Sequence, residues 1–340
     1  MPDTVLLDAK NPQDLQRAAQ LLRQGKLVAL PTETVYGLGA NAFLEESVKG
    51  IYLAKGRPQD NPLIVHISQW EELEPLVTQI PPSAKALADA YWPGPMTMIL
   101  PKSPRIPRTT SGGLDTVAIR MPSHPVAREV IRLAGVPIAA PSANLSGSPS
   151  PTTAQHCVHD LWGRVDAILD GGPCQVGVES TVLTLCTPVP RLLRPGAVTP
   201  EQLRAVLGEL EVDPAVLHRI AENAVVSSPG MKYKHYAPKA HESIVQSDLE
   251  AFARYLQEHK EEGVWALCFE GEQDALPVPA LVYGRREDPS SQAKTLFDCL
   301  RKLDELGAKR VYARCPSQEG VGLAVYNRLL RAAAFEEIIL

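Results

Sequence analysis

Short apolar runs alternate with amphipathic stretches along most of the chain. In the first two hundred residues, runs at 27–31, 63–67, 97–101, 116–120, 137–140, 167–170 and 181–185 are rich in aliphatic side chains and predict strands. Stretches at 45–54, 82–91, 125–134, 152–161 and 200–207 space their apolar positions three and four residues apart and predict helices. Such a mixture predicts an α/β or α+β unit on a twisted sheet of moderate size. Pro31, Pro101, Pro122, Pro141, Pro173 and Pro195 stand where strands give way to loops. Each fixes φ and withholds a donor, so those strand ends are stiff and cannot run on as helix.

The rhythm lapses at 224–240, where AVVSSPGMKYKHYAPKA has neither a 3.6- nor a 2.0-residue period. This predicts a connector, although its rings and cations distinguish it from a plain Gly/Ser tether. Alternation then resumes. Runs at 244–246, 264–269, 280–283, 311–314 and 337–340 predict strands, with helices at 249–259, 292–306 and 322–334. No GxGxxG follows the first of these strands, so a small doubly wound unit is expected without a dinucleotide. The expected division is a first domain at 1–210, a connector at 211–240 and a second α/β domain at 241–340.

Composition changes near the same point. Of 31 prolines, 27 precede residue 241 and four follow it. Residues 1–240 carry 22 Lys+Arg and 22 Asp+Glu; residues 241–340 carry 12 and 17, which accounts for the whole net charge of −5. A neutral first domain argues against retention on nucleic acid by bulk charge. No stretch approaches 18 apolar residues, so no membrane span is expected. Met1-Pro2-Asp3-Thr4 lacks the basic and apolar regions of a secretion signal. Six cysteines without a CxxC pair read as reduced thiols, so a cytoplasmic protein is expected. His156-Cys157-Val158-His159 has no second ligand cluster to complete a zinc site, and no protein-held metal is expected.

Four segments bring polar groups to stiffened strand ends. Pro31-Thr32-Glu33-Thr34-Val35-Tyr36-Gly37-Leu38-Gly39 reads either as a locally capped turn or as a loop whose glycines admit a ligand close to the backbone. Lys55-Gly56-Arg57-Pro58-Gln59-Asp60-Asn61-Pro62 sets two cations and an amide after a helix. They would suit phosphate or carbonate oxygens, or simply offset the helix dipole. His66, flanked by apolar residues, fits a core histidine equally well. Arg120, inside the apolar strand 116–120, needs an anion, whether an internal carboxylate or a substrate's. The fourth segment, 139–152, is small and hydroxyl-rich; Ser150 as N-cap and Pro151 in the first turn predict a helix start suited to anions. Glu179-Ser180-Thr181 and Arg194-Pro195-Gly196 add a carboxylate, two hydroxyls and another arginine. Walker A, zinc-helix and GxSxG patterns are missing. Hydroxyls, amides and cations suit catalysis by positioning and charge stabilisation more than by a covalent nucleophile.

Together, LPTETVYGLG, KGRPQDNPLIVHI, YWPGPMT, AIRMP, PSANLSG, ESTV and LLRPG resemble, in this order, the YrdC-type domain of the threonylcarbamoyl-AMP synthase family. SSPGMKYKHYAPKA followed by an α/β unit, with its GVGLAVYNRLLRAA stretch, resembles that family's two-domain form. The fold implied is a YrdC-like twisted open sheet with helices, plus a smaller Rossmann-like α/β domain. The reaction implied joins L-threonine, bicarbonate and ATP into threonylcarbamoyl-adenylate and pyrophosphate. A partner transferase then passes the threonylcarbamoyl group to tRNA.

By match to the motifs, Thr34, His66, Arg120, Ala140 and Ser180 would line the threonine pocket. Arg57, Asn61, Thr116, Ser142, Ser150, Arg194 and Tyr236 would contact ATP or its adenylate. Lys55, Arg57, Ser142 and Asn144 match the polar group around phosphates and carbonate. Mg²⁺ would be held mainly by ATP phosphates. The connector's Lys232, Tyr233, His235 and Tyr236 could fold over the nucleotide and exclude water. The competing reading is an RNA-binding module without catalysis, acting on tRNA or double-stranded RNA through Lys55, Arg57, Arg105, Arg108 and Arg120. A hydrogenase-maturation carbamoyltransferase shares the domain type, but its CxxC repeats are missing here.

Overall fold

A computed structural model describes residues 2–59, 61–219, 236 and 239–340. The connector residues Lys232, Tyr233 and His235 lie outside the described residues. In the first part of the chain the order is β1 (Val5–Asp8), α1 (Pro12–Arg23), β2 (Val28–Leu30), β3 (Gly37–Asn41), α2 (Glu45–Lys55), β4 (Ile64–His66), α3 (Pro82–Tyr91), β5 (Met96–Pro101) and β6 (Thr116–Arg120). It continues with α4 (Pro125–Ala134), β7 (Ile138–Ala139), α5 (Ala154–Leu161), β8 (Ala167–Asp170), β9 (Thr181–Thr184), β10 (Arg191–Arg194), α6 (Pro200–Leu207) and β11 (Glu211–Val212). These strands form one mixed sheet in the order β1-β8-β2-β3-β7-β4-β6-β5-β9-β10-β11. Its last strand falls within the stretch read as connector.

Period-two alternation separates two apolar layers. Val28 and Leu30 of β2 pack with α1 and α4 through Leu22, Val130 and Ile131. Ala29 faces the other layer, where Ile51 of α2, Leu87 of α3 and Leu161 of α5 gather. Five elements go beyond the sequence reading: β1, α1, β3, β10 and β11. α1 follows an Asn11 N-cap with Pro12 in its first turn, and buries Ala18, Ala19 and Leu22. β3 runs through two glycines. A Cβ at Gly39 would lie 2.9 Å from Ile138 Cγ2 and 3.2 Å from the Val28 carbonyl oxygen, so neighbouring strands leave room for hydrogen alone.

One helix start also corrects the expectation. α5 begins at Ala154, and its cap is Thr153, whose side chain accepts from His156 N. Ser150 is not the N-cap. Its hydroxyl instead donates to Glu179, because the Pro149–Pro151 stretch keeps the chain extended there.

The second part comprises β12 (His241–Gln246), α7 (Leu249–Glu258), β13 (Val264–Cys268), β14 (Ala280–Val282), α8 (Pro289–Glu305), β15 (Arg310–Arg314), α9 (Gly320–Ala332) and β16 (Glu337–Ile339). All five strands are parallel, in the order β14-β13-β15-β12-β16. Helices cover both faces: Ile244 packs with α8 and α9, and Val245 with α7. The fourth strand of this unit lies between its first and second, unlike the strand order of dinucleotide-binding sheets.

The two parts meet over buried polar contacts. Arg301 of α8 pairs with Asp160 at 2.8 Å and donates to the Pro149 carbonyl at 2.6 Å. Asn327 of α9 donates to the Val216 carbonyl at 2.7 Å. Among the described residues no helix is long and apolar enough to cross a membrane.

Candidate active site

The ends of the central strands place the polar side chains together. β4 and β6 run parallel with His66 opposite Arg120, and β7 lies antiparallel to β4. Pro122 follows β6 and Pro141 follows β7, and at these strand ends lies a cavity with about 740 Å³ of empty space, open to solvent. Thr34, His66, Arg120, Ala140 and Ser180 all line it. So do Arg57, Ser142, Arg194, Tyr236, Lys55 and Asn144.

Three of the residues matched to ATP contacts do not line it. Thr116 sits at the far end of β6, opposite Pro101, one strand length from Arg120. Ser150 is fully buried beneath Glu179. Asn61 is also buried, with neither side-chain atom hydrogen-bonded to a described group; its carbonyl accepts from Tyr52 Oη at 3.0 Å. Arg105 stacks on Phe43 and Arg108 donates to the Gly113 carbonyl at 2.8 Å, both outside the cavity wall.

Arg120 has an internal carboxylate partner. Its Nη2 lies 2.6 Å from Glu33 Oε1, and Nη1 donates to Thr34 Oγ1 at 2.9 Å. Burial pushes the Glu33 carboxyl up, but the charge and hydrogen bonds of Arg120, with backbone N–H groups of Glu33 and Ser123, outweigh it and leave it below its ordinary value. The guanidinium thus stands fixed at the cavity with Thr34 aligned beside it. Thr34 Oγ1 in turn lies 2.9 Å from Thr32 Oγ1.

Lys55 plays a more internal part than a free point charge would. From the last turn of α2, its ammonium donates to the Ser142 carbonyl and, at 2.5 Å, to the Asn144 carbonyl. Complete burial, with the neighbouring Arg57 charge, pushes the Lys55 pKa well down. Asn144 Nδ2 then donates to Leu145 O at 2.7 Å and Ser148 O at 2.9 Å. The hydroxyl-rich loop is therefore pinned from beneath.

His66 is neutral: burial, then the Arg120 charge, lowers its pKa to about 3. Its Nδ1 lies 3.3 Å from the Ile138 carbonyl, which fixes Nδ1 as the donor and leaves Nε2 as an acceptor. On the opposite wall Arg194 donates from Nε to the Ser180 carbonyl at 3.0 Å and from Nη2 to Ser180 Oγ at 3.2 Å. Burial lowers the Arg194 pKa to about 10, which leaves it charged at neutral pH.

The sequence reading passed over several wall residues. Glu179 lines the cavity, fully buried, its oxygens held by Ser150 and by Arg328 Nε at 2.8 Å. Thr32, Val35, Gly37, Ile64, Pro141 and residues 146–148 also line it. Their motifs were visible, but no motif says which side chain turns inward. Three arginines and Lys55 face a cavity whose one carboxylate is already engaged, an arrangement suited to anionic substrates. Among the described residues no group of three His, Cys, Asp or Glu could hold a metal.

Known proteins match most of the chain. A family model for the Sua5, YciO and YrdC proteins, described as telomere recombination, matches residues 20–196. One described as the threonylcarbamoyl-AMP synthase C-terminal domain matches residues 198–334. A Bacillus subtilis threonylcarbamoyl-AMP synthase is 48% identical, covering 96% of this chain and 94% of the relative. Its Pyrococcus abyssi counterpart is 47% identical over 94% of both. The structure of P. abyssi Sua5 complexed with L-threonine superposes with a TM-score of 0.92 at 43% identity, covering 99% of each chain. Matched through both of its domains in sequence and in backbone, the chain belongs to the threonylcarbamoyl-AMP synthase family.

Proposed function

We propose that the cavity binds L-threonine, bicarbonate and ATP and forms threonylcarbamoyl-adenylate with release of pyrophosphate. The observation that carries this reading is the convergence of Arg120, Arg194, Lys55 and Arg57 with Thr34, Ser142, Asn144 and Ser180 on one cavity. The L-threonine complex of the Pyrococcus relative supports the amino-acid half. Arg120, fixed by Glu33, forks the threonine carboxylate, and Thr34 and Ser180 orient the substrate around it. Neutral His66 presents Nε2 as an acceptor to the amino or hydroxyl group of threonine.

The amine nitrogen attacks the bicarbonate carbon, water leaves, and an N-carboxylate forms. A carboxylate oxygen then attacks the α-phosphorus, and the bond from that phosphorus to the bridging oxygen breaks to release pyrophosphate. Arg57, Arg194 and the loop at Ser142 and Asn144 stabilise phosphate charge, with Tyr236 beside the nucleotide. Asn61, Thr116 and Ser150, which lie off the cavity, act on ATP only if the bound state draws them in. With Glu179 engaged, the donor set offers Mg²⁺ no protein cage; it fits an ion carried by the phosphates, whose positive charge offsets theirs. The product then goes to a transferase acting on tRNA. The six free cysteines support a cytoplasmic setting.

Purified protein with Mg²⁺ is expected to release pyrophosphate from ATP only when both L-threonine and bicarbonate are present. Release without either, or none with both, would overturn the assignment.

A further inference from the structure

The second domain forms part of the cavity's backing. Its main apolar cluster holds Leu296, Phe297 and Leu329 together with Val35, Val178 and Tyr236 from earlier in the chain. Val35 and Tyr236 both line the cavity. Tyr236 packs against Phe297 of α8 with ring centres 5.1 Å apart. Gly177 marks how closely the parts approach: a Cβ there would lie 2.4 Å from the Ala293 carbonyl oxygen.

At the centre of this contact stands Arg328 of α9, with no exposed surface. Its Nε donates to Glu179 Oε2 at 2.8 Å, its Nη2 to the Glu179 carbonyl at 3.3 Å, and its Nη1 to the Pro195 carbonyl at 3.0 Å. Its guanidinium carbon lies 5.6 Å from the centre of the Tyr236 ring. Glu179 precedes Ser180 and Pro195 follows Arg194, the two residues that hydrogen-bond to each other across the cavity wall. One side chain therefore fixes both ends of that wall. A buried ion pair is often no more stabilising than an apolar filling of the same volume, so stability alone gives weak reason for it.

We propose that Arg328 is a positioning residue for the adenylation step, holding Glu179, Pro195 and Tyr236 so that Ser180 and Arg194 meet the substrates in one fixed geometry. The second domain thereby acts on a cavity whose lining, among the described residues, it does not enter. This role rests on the reaction proposed above. The groups facing Glu179 are Arg328, Arg194, Lys55, Tyr236 and the Ser150 hydroxyl. Burial raises its pKa, while Arg328 and Arg194 lower it below the ordinary value. Losing Arg328 therefore raises it, and Glu179 takes up its proton at higher pH.

Pyrophosphate release by the full chain, measured against pH and against each substrate, tests the role. Arg328→Met is expected to lower kcat/KM on the order of 10- to 100-fold and move the acid limb of its profile upward. Arg328→Lys keeps the charge and recovers part of the loss. Arg328→Met combined with Glu179→Gln has no carboxylate to titrate, so it loses that limb and holds, across the pH range, the low rate that Arg328→Met shows with Glu179 protonated. A folded Arg328→Met within twofold of wild type, or slower with an unmoved acid limb, would overturn the role while the wild-type reaction stands. If Arg328→Met does not fold, Arg328→Gln, which also removes the charge, supplies the same readout: an unmoved limb overturns the role, a raised one supports it. A wild type releasing no pyrophosphate removes the reaction and the role together.

Discussion

Arg120 and Arg314 each end a strand, one in each half of the chain, and both are almost wholly buried. Each meets a glutamate, Glu33 at 2.6 Å and Glu272 at 3.1 Å. Around Arg314 the protein closes completely. Its Nη1 donates to the Ser247 carbonyl at 2.6 Å, its Nε and Nη2 to Glu272 at 3.1 Å, and Phe252 and Phe269 lie against it. Arg120 stands at a cavity instead, with Thr34 beside it. A buried cation becomes a binding group only where the fold leaves space next to it. Where the fold fills that space with carbonyls and rings, the same residue is structural, even at the carboxyl end of a parallel sheet where ligands commonly bind.

The sharpest way to break this comparison is to remove each arginine. Arg120→Met is expected to lower threonine-dependent pyrophosphate release on the order of 10²–10³-fold, corresponding to about 3–4 kcal/mol of barrier. Activity within tenfold of wild type would deny it the substrate. Arg314→Met should cost about 3–5 kcal/mol of stability, read from denaturant unfolding, with activity per folded molecule unchanged. A loss of activity that outruns the loss of folded protein would make Arg314 more than structural.

Two further titratable groups extend the contrast with smaller effects. Glu242 on β12 is fully buried, with neither oxygen hydrogen-bonded to a described group, and burial raises its pKa to about 8. The folded state then holds a proton that the unfolded chain releases near pH 4.5, so stability falls between pH 4.5 and 8. Glu242→Gln is expected to melt a few degrees above wild type at pH 8, with the gap closing towards pH 5; an equal gap at both would refute the burial argument.

His66 gives the opposite slope. Its folded pKa of about 3 lies below the ordinary 6.5, so the unfolded chain binds the extra proton and stability falls as pH drops from 6.5 towards 3. Above pH 5 its imidazole NMR signals should show no titration; a midpoint near 6.5 would place it in water instead.

Much of the architecture was legible because local patterns and global fold agree. The resumed alternation after residue 240 led to the parallel five-stranded sheet, and proline-stiffened strand ends marked the cavity's loops. α1, which the sequence reading passed over, was nonetheless open to it, since its apolar positions 15, 18, 19 and 22 keep a helical spacing. β3 was not: glycine has low strand propensity, and only the close approach of Ile138 and Val28 accounts for Gly39. The helix start at Ser150 misled because a serine before a proline favours a cap, while a buried glutamate distant in sequence claimed its hydroxyl.

The sequence by itself determined many of the helices and strands and the inventory of hydroxyls, amides and cations, because these depend on local periodicity and residue type. The tertiary structure decided which of those groups face a void. It separated Arg120 from Arg314, turned Lys55 towards loop carbonyls and set Arg328 against Glu179 across 149 positions. Desolvation and ion pairing are properties of an enclosed volume, and the chain encloses a volume only when distant segments meet.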